Sequence, residues 1–356
     1  SARNLLHIVN DVLDFSKIDS GAMRFERLPF SLRGCVRDAL VLTAAQSSTR
    51  SVEVTCDIEE AAADMVSGDE SRLRQILVNL LSNSVKFTPE GFVSLSVSST
   101  EQPGHLAFEV EDTGVGIKPE KLETIFEAFT QAEESTTRRF GGTGLGLAIS
   151  RDLCVGMGGQ MQVDSQEGRG SRFSFCVPLP PAQSEPSAGY KTGPLLPDGP
   201  EQEFLLLVPQ GHVRRSIARR LEAWGVRVHA CGDLDAVNRA IYSLDRAPLA
   251  AISISALKPH EYLLLDGKLS GLGAVPWILL QAGEHSEDPG LPAERVQSLL
   301  LPIVGPELRN ALESLNSNGS AAKRPVSDRP SRRLTSLRSK RPLKILLVED
   351  EPVNQR

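Results

Sequence analysis

One stretch of the chain places amide and ammonium side chains at the spacing of a single helix face. The four residues are Gln75, Asn79, Asn83 and Lys86. At 100° per residue they fall within about 80° of one another, and apolar residues take the remaining side. Asn is a poor helix former, so two of them in mid-helix indicate a functional role. Amide oxygens with an ammonium suit a metal–phosphate group; a solvated polar stripe is the alternative interpretation.

Asp112 marks a second candidate site, because it directly follows a strand pattern and begins the segment 112–117 (DTGVGI). A carboxylate at the end of a strand can accept a hydrogen bond from an exocyclic amine such as that of adenine. Gly114 and Gly116 let the backbone approach a flat ligand closely. A plain Asp-Thr-Gly turn is the alternative.

A third segment, residues 141–149 (GGTGLGLAI), has four glycines within six residues and opens an apolar helix. Unblocked backbone N–H groups at a helix N-terminus form an anion cradle. The segment lacks the Gly-Lys-Ser/Thr of a P-loop, and a dinucleotide fingerprint would need a parallel βαβ unit. Residues 118–140, which precede it, are long enough to close over a nucleotide as a lid. Phe126 and Phe129 would anchor this lid, and Arg138 and Arg139 could reach phosphates.

The elements that must position these residues alternate between helix and strand. Residues 3–19 have the apolar spacing of an amphipathic helix, which needs a partner helix upstream or in another subunit. The alternating helix and strand patterns in residues 30–180 indicate an α+β two-layer sandwich, with helices on one side of a mixed sheet. The helices are expected at 31–46 and 73–87, and the strands at 52–56, 93–97, 106–110, 161–163 and 173–177.

A second region, residues 203–315, alternates short apolar strands with helices, which predicts a parallel sheet covered on both faces. Its strands are expected at 204–208, 226–228, 249–254, 277–280 and 299–303, and its first helix at 213–224. The Pro-rich residues 181–202 and the basic residues 316–342 are typical of linkers. The whole chain is therefore expected to be multidomain, α+β followed by α/β.

Composition narrows the class of protein. The 356 residues are 40% hydrophobic and 24% charged, with a net charge of −6, which argues against a protein that coats nucleic acid. The five cysteines are isolated, so zinc clusters and disulfide frameworks are not expected and a reducing cytosol fits best. No run of 18 apolar residues is present, so no membrane span is expected.

Four segments, in their order and spacing, resemble the N, G1, F and G2 boxes of sensor histidine kinases. They are residues 75–88 (QILVNLLSNSVKFT), 112–117 (DTGVGI), 126–129 (FEAF) and 141–147 (GGTGLGL). Residues 5–21 resemble the second dimerisation helix of that family, and residues 168–175 (GRGSRFSF) resemble its closing strand. The resemblance implies a truncated dimerisation hairpin at 1–21 and a Bergerat-type ATP-binding domain, a two-layer α/β sandwich, at 22–180.

The resemblance also implies roles for single residues. Asn83 would ligate Mg²⁺ between the phosphates of ATP, with Asn79 and Lys86 beside them. Asp112 would accept from the adenine amine, and Phe87 would border the base. The other residues implied to bind ATP are Gly114, Gly116, Ile117, Arg138, Gly142, Thr143, Gly144, Leu145, Gly146 and Ser171. The reaction would transfer the γ-phosphoryl group of ATP to a histidine.

Asn79 has a further consequence within this resemblance. Related Bergerat ATPases have a water-activating Glu four residues before the metal-binding Asn, and here that position is Asn79. An amide cannot act as a base, so ATP hydrolysis is expected to be slow.

The family's phospho-acceptor box is missing, so the acceptor histidine is expected upstream of Ser1. His7 lacks an adjacent acid and is interpreted as an ordinary bundle residue. Residues 203–315 resemble a degenerate receiver domain of flavodoxin-like fold. Pro209, Gln210, Ser253, Gln281 and Leu301 stand where a working receiver has its acids, acceptor Asp, Thr/Ser and Lys. We therefore expect an interaction domain; an unrelated α/β module is the alternative.

Residues 343–356 resemble the start of a true receiver, in which Glu349 and Asp350 would bind Mg²⁺. The chain is thus expected to be a cytoplasmic, internal portion of a hybrid sensor histidine kinase, whose upstream segments could anchor it in the inner membrane. The expected partners are a second copy, through the N-terminal helix, and a response regulator or a histidine phosphotransfer protein. Nucleic acid is not expected. A Bergerat ATPase and a non-catalytic nucleotide-binding scaffold remain alternatives.

Overall fold

The structure is a computed structural model of the chain. It describes residues 9, 12–18, 20–47, 51–130, 144–182, 195, 202–244, 247–254, 257–281, 289–304 and 306–317. All of these residues belong to one compact unit, which contains two five-stranded sheets and one two-stranded sheet. We call residues 20–182 the N-terminal half and residues 202–317 the C-terminal half.

The N-terminal half is built on a five-stranded mixed sheet. Its strands are β2 (Ser51–Ile58), β4 (Glu90–Ser99), β5 (His105–Asp112), β6 (Gln160–Gln166) and β7 (Gly170–Pro178), in the order β2-β4-β5-β7-β6. Only β2 and β4 are parallel among these neighbours. Burial alternates along β5, as expected for a strand with one face under helices. The helices are α1 (Leu32–Ser47), α2 (Glu70–Phe87) and α3 (Gly146–Gly156).

A two-stranded antiparallel sheet, β1 (Leu28–Ser31) with β3 (Met65–Gly68), was not predicted from the sequence. It borders the start of α1, where the Asp64 carboxylate accepts from Arg33 N at 3.0 Å. The predicted helix at 73–87 also begins earlier, at Glu70, because Asp69 caps it by accepting from Arg72 N at 3.1 Å.

The C-terminal half contains five parallel strands in the order β9-β8-β10-β11-β12. They are β8 (Glu203–Leu207), β9 (Arg227–Cys231), β10 (Ala250–Ile254), β11 (Trp277–Gln281) and β12 (Val296–Leu300). The helices are α4 (Gly211–Ala223), α5 (Leu234–Tyr242), α6 (Pro259–Ser270) and α7 (Pro306–Ser317). One apolar core lies on each face of this sheet. The strand order is that of flavodoxin-like folds, which confirms the predicted fold class.

The predicted position of the last strand, residues 299–303, is wrong. The strand is Val296–Leu300, and its side chains are half-buried or exposed, so no apolar run marks it. Residues 301–303, the apolar end of that prediction, lie beyond the strand. The next residue, Val304, is 1% exposed and belongs to the apolar core of the N-terminal half. No helix in the described part of the chain is both long enough and apolar enough to cross a membrane.

Candidate nucleotide-binding site

Helix α2 holds the two predicted asparagines because its other side is fixed in the core. Leu73, Leu77 and Leu80 are fully buried under the sheet. Asn79 and Asn83 lie on the half-exposed side, one turn apart. The packing of the apolar residues therefore fixes the direction in which both amides point.

The two amides form a short chain of hydrogen bonds. Asn83 Nδ2 donates to Asn79 Oδ1 at 3.3 Å, and Asn79 Nδ2 donates to Ser150 Oγ on α3 at 2.8 Å. These bonds use the Asn79 oxygen and both amide nitrogens. The Asn83 oxygen is left as the acceptor that a cation could take.

Gly146 begins α3 directly beside Asn79. A Cβ at Gly146 would overlap Asn79 Oδ1, so the absence of a side chain lets the start of α3 approach the amide. Gly144, which precedes it, has a left-handed backbone with φ +70°, and its carbonyl accepts from Phe129 N at 3.1 Å. Leu145 between them is buried. The helix N-terminus and the asparagines thus face the same space.

Asp112 ends β5 with its carboxylate held by the backbone. Oδ1 accepts from Gly114 N at 2.9 Å and from Ser171 N at 3.2 Å, and the residue is 5% exposed. Because both bonds go to Oδ1, the second oxygen is the one available to a ligand. Burial raises the pKa of Asp112, while the bonds from Gly114 and Ser171 oppose that shift.

Two hydroxyl groups at the end of α2 line the same region. The Ser84 hydroxyl is buried without a well-formed hydrogen bond, but it lies near enough to Asp112 to lower the pKa of that carboxyl. Thr88 is 0% exposed, and its Oγ1 has no hydrogen-bond partner. A buried hydroxyl without a partner costs free energy unless a ligand or water satisfies it, so these groups fit a polar ligand.

The glycines after Asp112 allow close backbone contacts. A Cβ at Gly114 would overlap Phe87 O, and one at Gly116, where φ is +69°, would overlap Gln166 O. The Ile117 amide donates to Ser165 Oγ at 2.8 Å. The DTGVGI segment is therefore fixed between the end of α2 and the turn after β6.

The structure brings most of the described candidate residues together around one space, but it places Gln75 elsewhere. Gln75 Nε2 donates to Asp14 Oδ2 at 2.9 Å, in the helical segment 12–18. Lys86 Nζ lies 4.9 Å from the centre of the Phe87 ring. Seven of the residues considered above lie outside the described residues: His7, Arg138, Arg139, Gly142, Thr143, Glu349 and Asp350.

Sequence reasoning missed Ser84, Thr88 and Ser150. Ser150 follows Gly146 by four residues, which puts it on the same face of α3. That spacing was the only available signal for it. In the described part of the chain, no three His, Cys, Asp or Glu side chains come together as a metal cluster.

Comparison with known proteins bears on this geometry. Residues 68–181 match the family model for "Histidine kinase-, DNA gyrase B-, and HSP90-like ATPase". The chain therefore carries a histidine-kinase-type ATPase domain. The match contains Asn79, Asn83 and Asp112, and the α/β sandwich described above is the fold of this domain.

Relatives of this domain extend the comparison beyond residue 181. Sensor histidine kinase GacS of Pseudomonas protegens is 30% identical over 366 aligned positions, which cover 99% of this chain and 38% of the relative. The signal transduction histidine-protein kinase BarA of Escherichia coli is 41% identical over 182 positions, 50% of this chain and 20% of the relative. The chain thus spans less than two fifths of the length of these curated relatives.

Among solved structures, full-length ShkA in complex with AMPPNP is similar to this chain with a TM-score of 0.65 and 26% identity. The match covers 90% of this chain and 63% of that one. The resemblance to hybrid sensor histidine kinases is confirmed by these relatives.

The C-terminal half places the residues singled out by the receiver resemblance at the ends of its strands. Arg214 Nη1 donates to Val208 O at 2.6 Å and to Pro209 O at 3.0 Å, at the end of β8. A guanidinium therefore stands beside the position where a receiver would hold its metal-binding acids. Ser253 is 0% exposed at the end of β10, and Gln281 Nε2 donates to Ser298 Oγ at 3.1 Å.

Proposed function

We propose that this chain is the catalytic portion of a hybrid sensor histidine kinase, which binds ATP with Mg²⁺ and transfers the γ-phosphoryl group to a histidine. The observation that carries the proposal is the buried Asp112 carboxylate, fixed through Oδ1 by Gly114 N and Ser171 N. A carboxylate presented in this way accepts a hydrogen bond from an amine such as the exocyclic group of adenine.

The phosphate side of the proposed site consists of the α2 amides and the start of α3. The Asn83 oxygen would ligate Mg²⁺, which when bound would neutralise charge on the phosphates. Asn79, held by Ser150, keeps Asn83 oriented, and Lys86 adds an ammonium. The N-terminus of α3 contributes backbone N–H groups toward an anion.

The acceptor histidine and the partners belong to the whole protein and are part of the proposal. Val9, Val12 and Leu13 on the N-terminal helix are 46–51% exposed, which supports pairing of this helix with others in a homodimer. A phosphorylated histidine would pass its phosphoryl group to a receiver Asp, directly or through a histidine phosphotransfer protein. We further propose that Glu349 and Asp350 bind Mg²⁺ in a second receiver, and that this portion lies in the cytoplasm.

Calorimetry with the full chain tests the nucleotide site. We expect Asp112→Asn and Asn83→Ala each to weaken Mg·ATP binding by about 10- to 100-fold. The first variant removes a charged acceptor and the second removes the acceptor for the metal. Glu111→Gln is the matched control, since Glu111 is the preceding residue on β5 and pairs with Arg172 at 3.2 Å on the exposed face. Retained affinity in both site variants would overturn the assignment.

Release of inorganic phosphate separates the kinase from a hydrolytic ATPase. Asn79 carries an amide where a base would be needed, so without an acceptor the chain should release phosphate at least about 100-fold more slowly than a typical enzyme turnover of about 10 s⁻¹. Faster release would favour the ATPase. If the segment with the acceptor histidine is restored and no phosphohistidine forms, the non-catalytic scaffold is favoured.

A further inference from the structure

Strand β2 is an edge strand of the five-stranded sheet in the N-terminal half, and the C-terminal half covers it. β2 pairs only with β4 in the sheet order, so its other edge has no strand partner. Helix α4 lies along it, and Arg220 Nη2 donates to the backbone oxygen of Cys56 at 2.6 Å. Open strand edges attract other chains unless something covers them, and here a helix of the same chain does so.

The N-terminal half also caps helix α4. Gln210 at the start of α4 makes no side-chain capping bond. The Glu53 carboxylate, on β2, accepts from His212 N at 2.8 Å and from Val213 N at 3.2 Å. A carboxylate at a helix N-terminus satisfies free N–H groups and complements the helix dipole. α4 therefore finds in the other half the cap that its own sequence lacks.

Further along α4, Asp57 of β2 is held from two positions. Ser216 Oγ donates to Asp57 Oδ1 at 2.9 Å, and Arg220 Nη2 donates to the same oxygen at 3.3 Å. Arg220 Nη1 also donates to Ile303 O at 3.3 Å. The Arg220 side chain is only 12% exposed, so its bonds are largely shielded from water.

A second group of contacts surrounds Glu60. Trp224 Nε1 donates to Glu60 Oε1 at 2.7 Å, and the buried Arg309 guanidinium lies 3.7 Å from the same oxygen. Arg37 and Glu307 form an ion pair at 3.0 Å in the opposite sense, with the arginine on the N-terminal half and the acid on the C-terminal half. Around β2, acids on the N-terminal half thus meet arginines on the C-terminal half, and the two surfaces are complementary in charge.

We propose that helix α4, residues 301–304 and residues 307–309 are a permanent docking surface for the ATPase domain of the same chain. The receiver-like half is then a fixed cover of the β2 edge, and its α4 face is closed to outside partners. Leu301, which replaces a phosphoryl-binding Lys in the receiver resemblance, lies at the boundary between the halves with Ile303. This proposal does not depend on nucleotide binding.

Hydrogen exchange of the full chain, followed by mass spectrometry, tests the surface. We expect Arg220→Glu to speed exchange in peptides covering 51–58 and 211–223 by at least about tenfold, because Cys56 O loses its side-chain donor and Asp57 loses one of its two. Arg219→Glu is the matched control, since Arg219 is exposed on the same helix and its side chain donates to Arg215 O within that helix. Adding Asp57→Arg to Arg220→Glu should restore part of the protection.

A second variant and an internal reference distinguish loss of the docking contact from a general loss of folding. Glu53→Lys should speed exchange at the start of α4, whereas Asp164→Lys on the opposite edge strand β6 should not. Protection at 250–254, in the middle of the second sheet, reports whether the fold is intact. Unchanged exchange in both Arg220→Glu and Glu53→Lys would overturn the proposal. So would wild-type protection that falls on tenfold dilution, since that would place the contact between two chains.

Discussion

Asp14 Oδ2 lies 3.3 Å from Arg72 Nη1, and this pair attaches the N-terminal helical segment to the helix that carries the nucleotide-binding asparagines. Gln75 completes the contact by donating to the same carboxylate oxygen. Nearby, the rings of Phe15 and Phe129 meet edge to face at 6.1 Å. The N-terminal segment therefore touches both α2 and the segment proposed to act as a lid.

The first prediction concerns this attachment. Both side chains of the Asp14–Arg72 pair are less than a third exposed, so their coupling should exceed that of a surface pair. A double-mutant cycle with Asp14→Asn and Arg72→Ala should give a coupling of about 1 kcal/mol in the free energy of unfolding. Lys17→Ala, at an exposed position of the same helix, should show no coupling with Arg72→Ala. A coupling of zero for Asp14 would contradict the contact.

The second prediction separates stability from binding at Asp112. Burial raises the pKa of this carboxyl above its ordinary value of 3.8, so the folded state binds the proton more tightly than the unfolded state. The contribution of Asp112 to stability is therefore greatest below its ordinary pKa, and it is lost as the pH rises through the raised pKa. At neutral pH, Asp112→Asn should keep or raise the melting temperature while nucleotide binding is lost.

The same raised pKa sets a pH dependence of binding. As the pH falls through it, the carboxyl becomes protonated and loses acceptor strength toward an amine. On acidification, wild-type affinity for Mg·ATP should therefore begin to fall at a higher pH than it would with an Asp of ordinary pKa. Calorimetry between neutral and mildly acid pH can measure this. A melting temperature of Asp112→Asn well below that of the wild type would contradict the desolvation argument.

Sequence patterns predicted both folds because each rests on local signals. Alternation along β5 and the apolar side of α2 are visible without tertiary contacts, and Asp112 and Asn83 stand out as polar residues at set places in those patterns. The family resemblance then placed them in one site. The contacts of Gln75 with Asp14, and of Ser150 with Asn79, depend on how separate helices meet, which spacing within one helix does not encode.

The boundary between the halves was invisible for the same reason. Leu301 and Ile303 appeared as the end of a strand, because an apolar run predicts burial without saying against what. Both line a small space between the halves, and Val304 beyond them packs in the apolar core of the N-terminal half. Likewise, nothing in the sequence around Glu53 indicates that its carboxylate accepts from His212 N at the start of α4.

The third prediction uses the close approach of α3 to α2. Gly146→Ala introduces a Cβ that would overlap Asn79 Oδ1, so the amide must move and Asn83 loses its support. We expect about a tenfold loss of Mg·ATP affinity, the order of one hydrogen bond to a charged group. Gly267→Ala in α6 is the control, because a Cβ there meets nothing within 4 Å and should raise stability slightly. Unchanged affinity in Gly146→Ala would show that Asn79 does not position Asn83.

The last prediction links the docking surface to the base pocket. The ring of His212 on α4 stacks on Phe92 of β4 at 3.6 Å between centroids. Phe92 N donates to Thr113 Oγ1 at 2.9 Å, and Thr113 N donates to Phe92 O at 3.1 Å. Thr113 is the residue directly after Asp112, so the stacked ring supports the backbone that aims the carboxylate.

Removing that ring should therefore weaken nucleotide binding from a distance. We expect His212→Ala to reduce Mg·ATP affinity by about fivefold, the lower end of typical coupling between separate sites. His212→Phe, which keeps a flat ring, should restore the affinity, and Arg219→Ala on the exposed side of α4 should leave it unchanged. Calorimetry on the three variants decides the matter: equal affinities in His212→Ala and the wild type would mean that the C-terminal half covers the sheet edge without influencing the base pocket.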